Sequence, residues 1–507
     1  MAAADWVAHY ARTQPHSVAL CNYDTGETRT WAELERRVRR MAHALRHEFG
    51  VAPGERIVGL ANGDIRFFEL QFACVRAGVV LAPLNFRLAA PELAALCVDL
   101  APKLMVTDNA WGDVAREVCS AAGVPRVTDW DEGQDFDQAL ARAGEIPERY
   151  DLDPDAPLLI LFTSGTTGRP KAAIVTFGGM VWQALNQVEF CFNAERNCHV
   201  FSPLPLFHAG GLNSLSNPIL CFGGQVTVSA RFDPAATTRF VGDPRNKVTH
   251  LGLVPLMYKM MAESAPFATA DFSSIRTLLV AGGRLPETLR ELYAAKGATF
   301  MTQYGGTETG PTITSMNGAR LDKIRAGSCG QRAMFTQVRL VGAGGADVER
   351  GQPGEVWVRG PAVIRGYFGR DPSLDFHDGW FPTGDVAWED DEGFFYIVDR
   401  VKDMYKSGGE NVYPAEVEQV LLEHPGVEEI AIIGVPDEKW GEVGMAVVVA
   451  SRGHTVTLES LRAICEGRLA RFKQPKHLTL MEALPRNVTG KIAKEELRAR
   501  FNGSRSA

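Results

Sequence analysis

The strongest constraint in this 507-residue chain is a run of five apolar residues, Leu158-Leu159-Ile160-Leu161-Phe162, that breaks directly into Thr-Ser-Gly-Thr-Thr-Gly. A continuous apolar stretch of that length, bounded by turn residues, reads as a strand buried on both faces. Such strands belong to mainly parallel sheets covered by helices. Two further runs have the same build. Residues 277–281 lead into Gly282-Gly283, and residues 299–303, ending at Gln303, lead into a Tyr304-Gly305-Gly306 loop. In open α/β sheets, ligands bind beyond the carboxyl ends of the strands. Three glycine-bearing strand ends therefore mark one candidate site.

The rest of the chain fits this architecture. Leu34, Val38, Met41, Ala42 and Leu45 have helical spacing and predict a helix over residues 31–49. A strand over 56–60, a helix over 67–77 and a strand over 79–82 follow, which is a βαβ rhythm. From about residue 337 strands alternate with turn residues, as in VRLVGAGGADVERGQPGEVWVRG. That predicts hairpins in a small β-barrel or antiparallel subdomain. After Arg400 the order reads helix (415–423), strand (429–434), strand (444–450), helix (458–469), a short strand near Leu478 and a helix (493–501). The expected fold class is α/β. A large N-terminal domain of parallel-rich sheets with helices spans residues 1–399, including a small β-barrel subdomain at about 337–399. A small mobile α+β domain spans residues 400–507.

Composition narrows function by exclusion. A net charge of −8 leaves no basic footprint for nucleic acid. An anionic ligand must then be held by loop N–H donors, a few Lys and Arg, and a metal ion. Nine cysteines are scattered without zinc spacing, which suits a reduced, cytoplasmic protein. The first residues, MAAADWVAHYARTQ, lack the basic start and apolar core of a signal peptide. No apolar run approaches the roughly 20 residues of a membrane helix, so no stable membrane insertion is expected.

The segment FTSGTTGRPK, residues 162–171, is built to cradle phosphates. Gly165 and Gly168 let backbone N–H groups approach closely, Thr163, Ser164, Thr166 and Thr167 add hydroxyl donors, and Lys171 supplies a point charge. It is not a Walker loop, because Lys171 follows Arg-Pro and precedes Ala172. The bland alternative is a Ser/Thr/Gly-rich surface connection. The buried strand before it and Pro170-Lys171 after it argue against that.

This segment resembles the signature of the adenylate-forming superfamily: acyl-CoA synthetases, firefly-type luciferases and peptide-synthetase adenylation domains. The resemblance runs from about Trp31 to Ile492 and favours the acyl-CoA ligase branch. It implies an enzyme that uses ATP and Mg²⁺ to convert a carboxylic acid into its acyl-adenylate, releasing pyrophosphate. Coenzyme A then yields acyl-CoA and AMP. By the same resemblance Glu308 in YGGTE is the Mg²⁺ ligand, Thr307 bonds the phosphoryl group, and Tyr304, with Gln303 and Gly305 beside it, lies against the adenine. Asp385 in GWFPTGD takes the ribose hydroxyls, and Arg400 in IVDR, a motif opened by Ile397, is a second ribose or phosphate contact. Gly283 and Arg284 occupy the adenine loop, one residue shorter here than in the family. Lys491 in LPRNVTGKI is the catalytic lysine of adenylation, and Lys402 is the hinge about which the C-terminal domain rotates. Ser407, Gly408, Gly409, Glu410 and Asn411 line the thiol channel, with Lys406 beside them. Arg87, Phe472, Lys473 and Lys476 stand where related ligases contact the CoA nucleotide.

His208 in PLFHAGG resembles the gate of the acyl site, against the commoner fate of a satisfied core histidine. Phe177 replaces the family's usual His, a change expected to reshape the inner acyl tunnel. Ala209, Gly210, Gly211, Gly283 and Gly305 suggest an apolar slot for a medium fatty, alicyclic or aryl acid. The partners expected are that acid and CoA, with homodimerisation left open. Two alternatives differ from this reading: an enzyme loading a carrier-protein thiol, and an inactive nucleotide-binding scaffold. Loss of Lys171, Glu308 or Lys491 would mark the scaffold, and all three are present.

Overall fold

The computed structural model describes residues 5–131, 133–147, 152–163, 170–188, 197–283, 285–316, 320–486 and 492–502. It divides into two compact units. One comprises Met1–Val338 and Val358–Phe381, the other Arg339–Trp357 and Pro382–Ala507.

The first unit holds two sheets. The smaller runs, in spatial order, Val127–Asp129, Leu104–Thr107, Arg56–Leu60, Val80–Pro83, Pro157–Thr163 and Lys171–Thr176. Its first five strands are parallel and buried between helices, as the apolar runs require. The larger has nine strands, and its central six are parallel: Phe300–Gly306, Thr277–Val280, His250–Leu253, His199–Ser202, Gln225–Val228 and Val18–Asn22. Tyr258 and Tyr293 anchor its core against Phe267, Phe272 and Phe300. Each buried phenol is satisfied: Tyr258 donates to the carbonyls of Leu251 and Leu279, and Tyr293 to that of Tyr258.

Two local expectations are corrected. The helix at residue 31 starts on a capping box between Thr30 and Glu33, but it ends at His43 and widens into a π-turn, Ala44–Glu48. The wider turn brings Phe49 onto the ring of Phe136 at 5.3 Å. The strand Pro157–Thr163 returns antiparallel as Lys171–Thr176, with Thr163 opposite Lys171. Tyr304-Gly305-Gly306 is strand, not loop, and pairs with Gly310–Met316. A Cβ on Gly305 would lie 2.4 Å from the Gly310 carbonyl oxygen, so glycine serves a close backbone approach rather than a break.

Most of the section expected as a β-barrel falls in the second unit. It is a four-stranded sheet ordered Gln337–Val341, Gly354–Arg359, Phe381–Glu389 and Phe395–Arg400, the last two antiparallel. The C-terminal section keeps the expected order from its first helix onward, but an unexpected hairpin of two short strands, Tyr405–Ser407 and Glu410–Val412, precedes that helix. Its strands are longer, Val427–Asp437 and Gly441–Ala450 forming one antiparallel hairpin, and its second helix, Leu458–Cys465, stops four residues early. Gly467, at φ +71°, follows that stop. No described helix is long and apolar enough to cross a membrane.

His199 sits in the nine-stranded sheet with both ring nitrogens engaged. Nδ1 donates to the Asn246 carbonyl at 3.2 Å, and Nε2 accepts from Thr227 Oγ1 at 2.7 Å. Burial pushes its pKa down to about 4. The unfolded chain protonates this ring near pH 6.5, the native sheet only near 4, so protons stabilise the unfolded state between those values. We predict that stability falls from pH 7 to pH 4, with up to about 3 kcal/mol traceable to this one group. Urea unfolding of wild type and His199→Gln at pH 7 and pH 5 checks it. An identical pH dependence in both would refute the assignment.

Candidate active site

The hairpin pairing of Thr163 with Lys171 holds together the two ends of the phosphate-loop motif. Ser164, Gly165, Thr166, Thr167 and Gly168 lie outside the described residues, as do Arg284 and Lys491. Thr163 Oγ1 donates to Glu308 Oε1 at 2.8 Å, and Tyr367 OH donates to the same oxygen at 3.1 Å. Glu308 occupies the turn between the strands Phe300–Gly306 and Gly310–Met316, and its carbonyl accepts from the Ile364 N–H at 2.8 Å. The two signatures are thus brought together through one carboxylate. Thr307 is half-buried in the same turn.

Lys171 Nζ lies 3.2 Å from Asp375 Oδ1 and 4.6 Å above the Tyr367 ring. Arg370 Nε approaches the other Asp375 oxygen at 2.6 Å. Burial, then the neighbouring Glu308 carboxylate, pushes the Tyr367 phenol well above its ordinary value, which keeps it protonated as a donor. Among the described residues no group of three His, Cys, Asp or Glu could cage a metal. One fixed carboxylate suits Mg²⁺, which keeps several waters and takes substrate phosphates for its other positions.

Around this centre, Gln303 is buried and its Oε1 accepts from Thr312 Oγ1 at 3.2 Å. Tyr304 is half-buried opposite Thr314, and Gly283 is exposed just past the strand Thr277–Val280. His208 is exposed rather than a core residue. It begins the short helix Ala209–Leu212, where its Nδ1 accepts from the Gly210 N–H at 3.0 Å. The Arg87 guanidinium lies 5.9 Å from the rings of Phe86 and of Phe207, the residue before His208. Phe177 is a buried residue of the first unit. It is 4% exposed and packs on Trp6 at 5.7 Å, where a polar His ring would be buried against indole.

In the second unit, Asp385 and Arg400 face each other across antiparallel strands, Arg400 Nε donating to Asp385 Oδ1 at 2.9 Å. Ile397 is on the same strand as Arg400 and 37% exposed. Lys402 pairs with Glu495 at 3.1 Å, and the adjacent Asp403 pairs with Arg498, both partners belonging to the helix Lys494–Asn502. The segment holding Lys491 is closed at its base by bridge pairing of Arg486 with Ile492 and by the Ala493 N–H bonded to the Pro485 carbonyl.

Lys406 and Ser407 end the strand Tyr405–Ser407, and Gly408 (φ +63°) and Gly409 (φ +89°) make the hairpin turn into Glu410–Val412. Only left-handed residues close so short a turn. A Cβ on Gly408 would meet Trp440 at 2.7 Å, while Lys476 Nζ lies 4.5 Å above the same indole. Trp440 thus joins two sets of candidates that are separate in sequence. Phe472 packs partly into the core of this unit, and Lys473 is paired with Glu416 at 2.7 Å. The sequence reading missed Tyr367, Arg370, Asp375 and Trp440. An exposed Trp between Lys439 and hairpin residues was a readable signal; the other three carry none outside the fold.

Comparison with known proteins agrees with this geometry. Residues 7–368 match the AMP-binding enzyme family, and residues 416–491 match the AMP-binding enzyme C-terminal domain. The chain is 40% identical over 505 residues to a feruloyl-CoA synthase of an Amycolatopsis species, covering 98% of each. It is 34% identical over 508 residues to the indoleacetate–CoA ligase of Aromatoleum aromaticum, again covering 98% of each. It is similar to the o-succinylbenzoate CoA synthetase of Bacillus subtilis solved with its acyl-adenylate, at a TM-score of 0.86, 31% identity and 98% coverage of both chains. The same synthetase has been solved with ATP and magnesium ion. The chain belongs to the AMP-binding, adenylate-forming enzymes, in their acyl-CoA ligase branch.

Proposed function

We propose that this ligase activates an aryl or arylalkanoic acid on Mg·ATP and transfers the acyl group to coenzyme A. The observation that carries the chemistry is the meeting of Thr163, Lys171 and Glu308 in one cluster. That cluster offers a cation for the outer phosphates and a fixed carboxylate for Mg²⁺. The aryl preference rests on the two aryl-acid ligases among its relatives. It is also supported by the aromatic rings of Phe86, Trp111 and Phe207 beside His208. A rigid aromatic acid gains from edge-to-face contacts there that a flexible alkyl chain does not match.

In this reading the loop 163–168 and Lys171 hold the phosphates, Thr307 bonds the α-phosphoryl group, and Tyr304, Gln303, Gly305, Gly283 and Arg284 bound the adenine and acid. Asp385 and Arg400, with Ile397 on the same strand, take the ribose. Lys491 lies between acid carboxylate and phosphate during adenylation, lowering the repulsion between two anions. Residues 1–399 act as the adenylation domain. Residues 400–507 act as a lid that rotates at Lys402 and exchanges Lys491 for the thiol channel of Lys406, Ser407, Gly408 and Gly409. Arg87, Phe472 and Lys476 receive the CoA nucleotide, and Trp440 offers it an aromatic face flanked by Lys439 and Lys476. The enzyme works in the reducing cytoplasm.

Two measurements test this. Pyrophosphate release with CoA and a panel of acids should give kcat/KM values for hydroxycinnamic and indoleacetic acids about tenfold or more above those for medium-chain fatty acids. The reverse order would overturn the aryl assignment, and turnover that ignores free CoA would point to a carrier-protein thiol. Lys491→Ala should slow adenylation by about a hundredfold or more while sparing thioester formation from supplied acyl-AMP. Equal loss of both steps would contradict the rotating lid.

A further inference from the structure

Residues 358–381 return to the first unit bearing three side chains that converge on the nucleotide site without belonging to either signature motif: Tyr367, Arg370 and Asp375. Tyr367 touches both halves of the site at once. Its hydroxyl donates to Glu308 Oε1 at 3.1 Å, and its ring face lies 4.6 Å from Lys171 Nζ. Asp375, with a side chain only 7% exposed, holds Lys171 at 3.2 Å and is itself held by Arg370 at 2.6 Å. We propose that Tyr367 and Asp375 are positioning residues of the nucleotide site: Tyr367 fixes the metal-binding carboxylate, and Asp375 holds Lys171 on the Tyr367 ring. The proposal rests on reading Glu308 as the Mg²⁺ ligand and Lys171 as a phosphate ligand.

Three features carry it. First, Thr163 and Tyr367 both donate to Oε1 of Glu308. Two donors on one oxygen lock the carboxylate plane, and neither touches Oε2, the oxygen that would face a cation. Second, an ammonium has three N–H donors. One goes to Asp375, which with the ring beneath fixes the direction of the other two. Third, a carboxylate beside a phosphate site would ordinarily repel the ligand. Here Asp375 is engaged by Arg370 as well as Lys171, so the trio keeps a net positive charge. The arrangement orients Lys171 without cancelling its attraction for phosphate.

The test uses the full chain and calorimetric binding of β,γ-methylene-ATP, with Mg²⁺ and again with EDTA. Tyr367→Phe keeps the ring and removes only the hydroxyl. It should weaken the Mg²⁺ complex about tenfold, the worth of a hydrogen bond to a charged group, and leave binding in EDTA unchanged. Asp375→Asn keeps the shape and should weaken binding about tenfold in both conditions, because its effect runs through Lys171. A purely structural role would lower the thermal midpoint and move both conditions together for Tyr367→Phe, and that result would overturn the proposal. So would unchanged affinity in either variant. Wild-type enzyme that binds the analogue yet releases no pyrophosphate with any acid would sink the functional reading itself, and with it the roles assigned to Glu308 and Lys171.

Discussion

One carboxylate held still joins the two sheets of the first unit. Glu308 sits in a short turn, where a side chain would normally sample several rotamers. Hydrogen bonds from Thr163, at the end of a strand in the other sheet, and from Tyr367 remove that freedom. The restraint ties the six-stranded sheet to the nine-stranded one at their carboxyl ends. Ligands of α/β sheets collect at such ends, because helix N-termini and loop amides converge there. The backbone cooperates. Gly305 admits the Gly310 carbonyl at a distance no Cβ would permit, so the strand can double back and present Glu308 at its tip.

A chain of net charge −8 binding a polyphosphate must separate its charges locally. It does so in part by stationing several cations against carboxylates of their own unit. Lys171 lies on Asp375, Arg400 on Asp385, Lys402 on Glu495 and Lys473 on Glu416. An isolated ammonium would be solvated and mobile; a paired one has a direction. The strength of such pairs matters less than their geometry, since exposed pairs contribute about 0–1 kcal/mol each. Where burial is deeper the balance differs. Glu418, paired with Lys494 at 2.7 Å, has its pKa raised by desolvation against the pull of that lysine, so the pair serves position rather than stability.

Much of this was legible in the sequence because apolar runs and glycines carry direct physical meaning. The strand Arg56–Leu60 stands where its alternation with helices requires, and the order of elements from the helix Pro414–Leu421 onward follows from periodicity. Misreadings came where one residue type serves two purposes. The glycines at 305 and 306 look like a loop but permit a tight antiparallel return. The packing of Phe177 on Trp6 joins the phosphate-motif region to the far end of the chain, which no local pattern reveals. Tyr367, Arg370 and Asp375 were illegible for the same reason. Tyr367 and Asp375 take their meaning from Glu308 and Lys171, 59 and 204 positions away, and Arg370 acts on Asp375 beside it.

The second unit poses a mechanical question of its own. A lid that delivers Lys491 by rotation at Lys402 needs the lysine's segment to move with the unit rather than independently of it. The ends of that segment are joined by the pairing of Arg486 with Ile492, and Arg486 is bonded to Glu429 on the long hairpin. The helix that follows packs on the strand Val427–Asp437 and reaches Asp403 and Lys402 through Arg498 and Glu495. Lys402 and the residues flanking Lys491 are thereby parts of one packed body. A torsion change at one end is then transmitted through side chains that are already in contact, which is what distinguishes a hinge from a flexible linker.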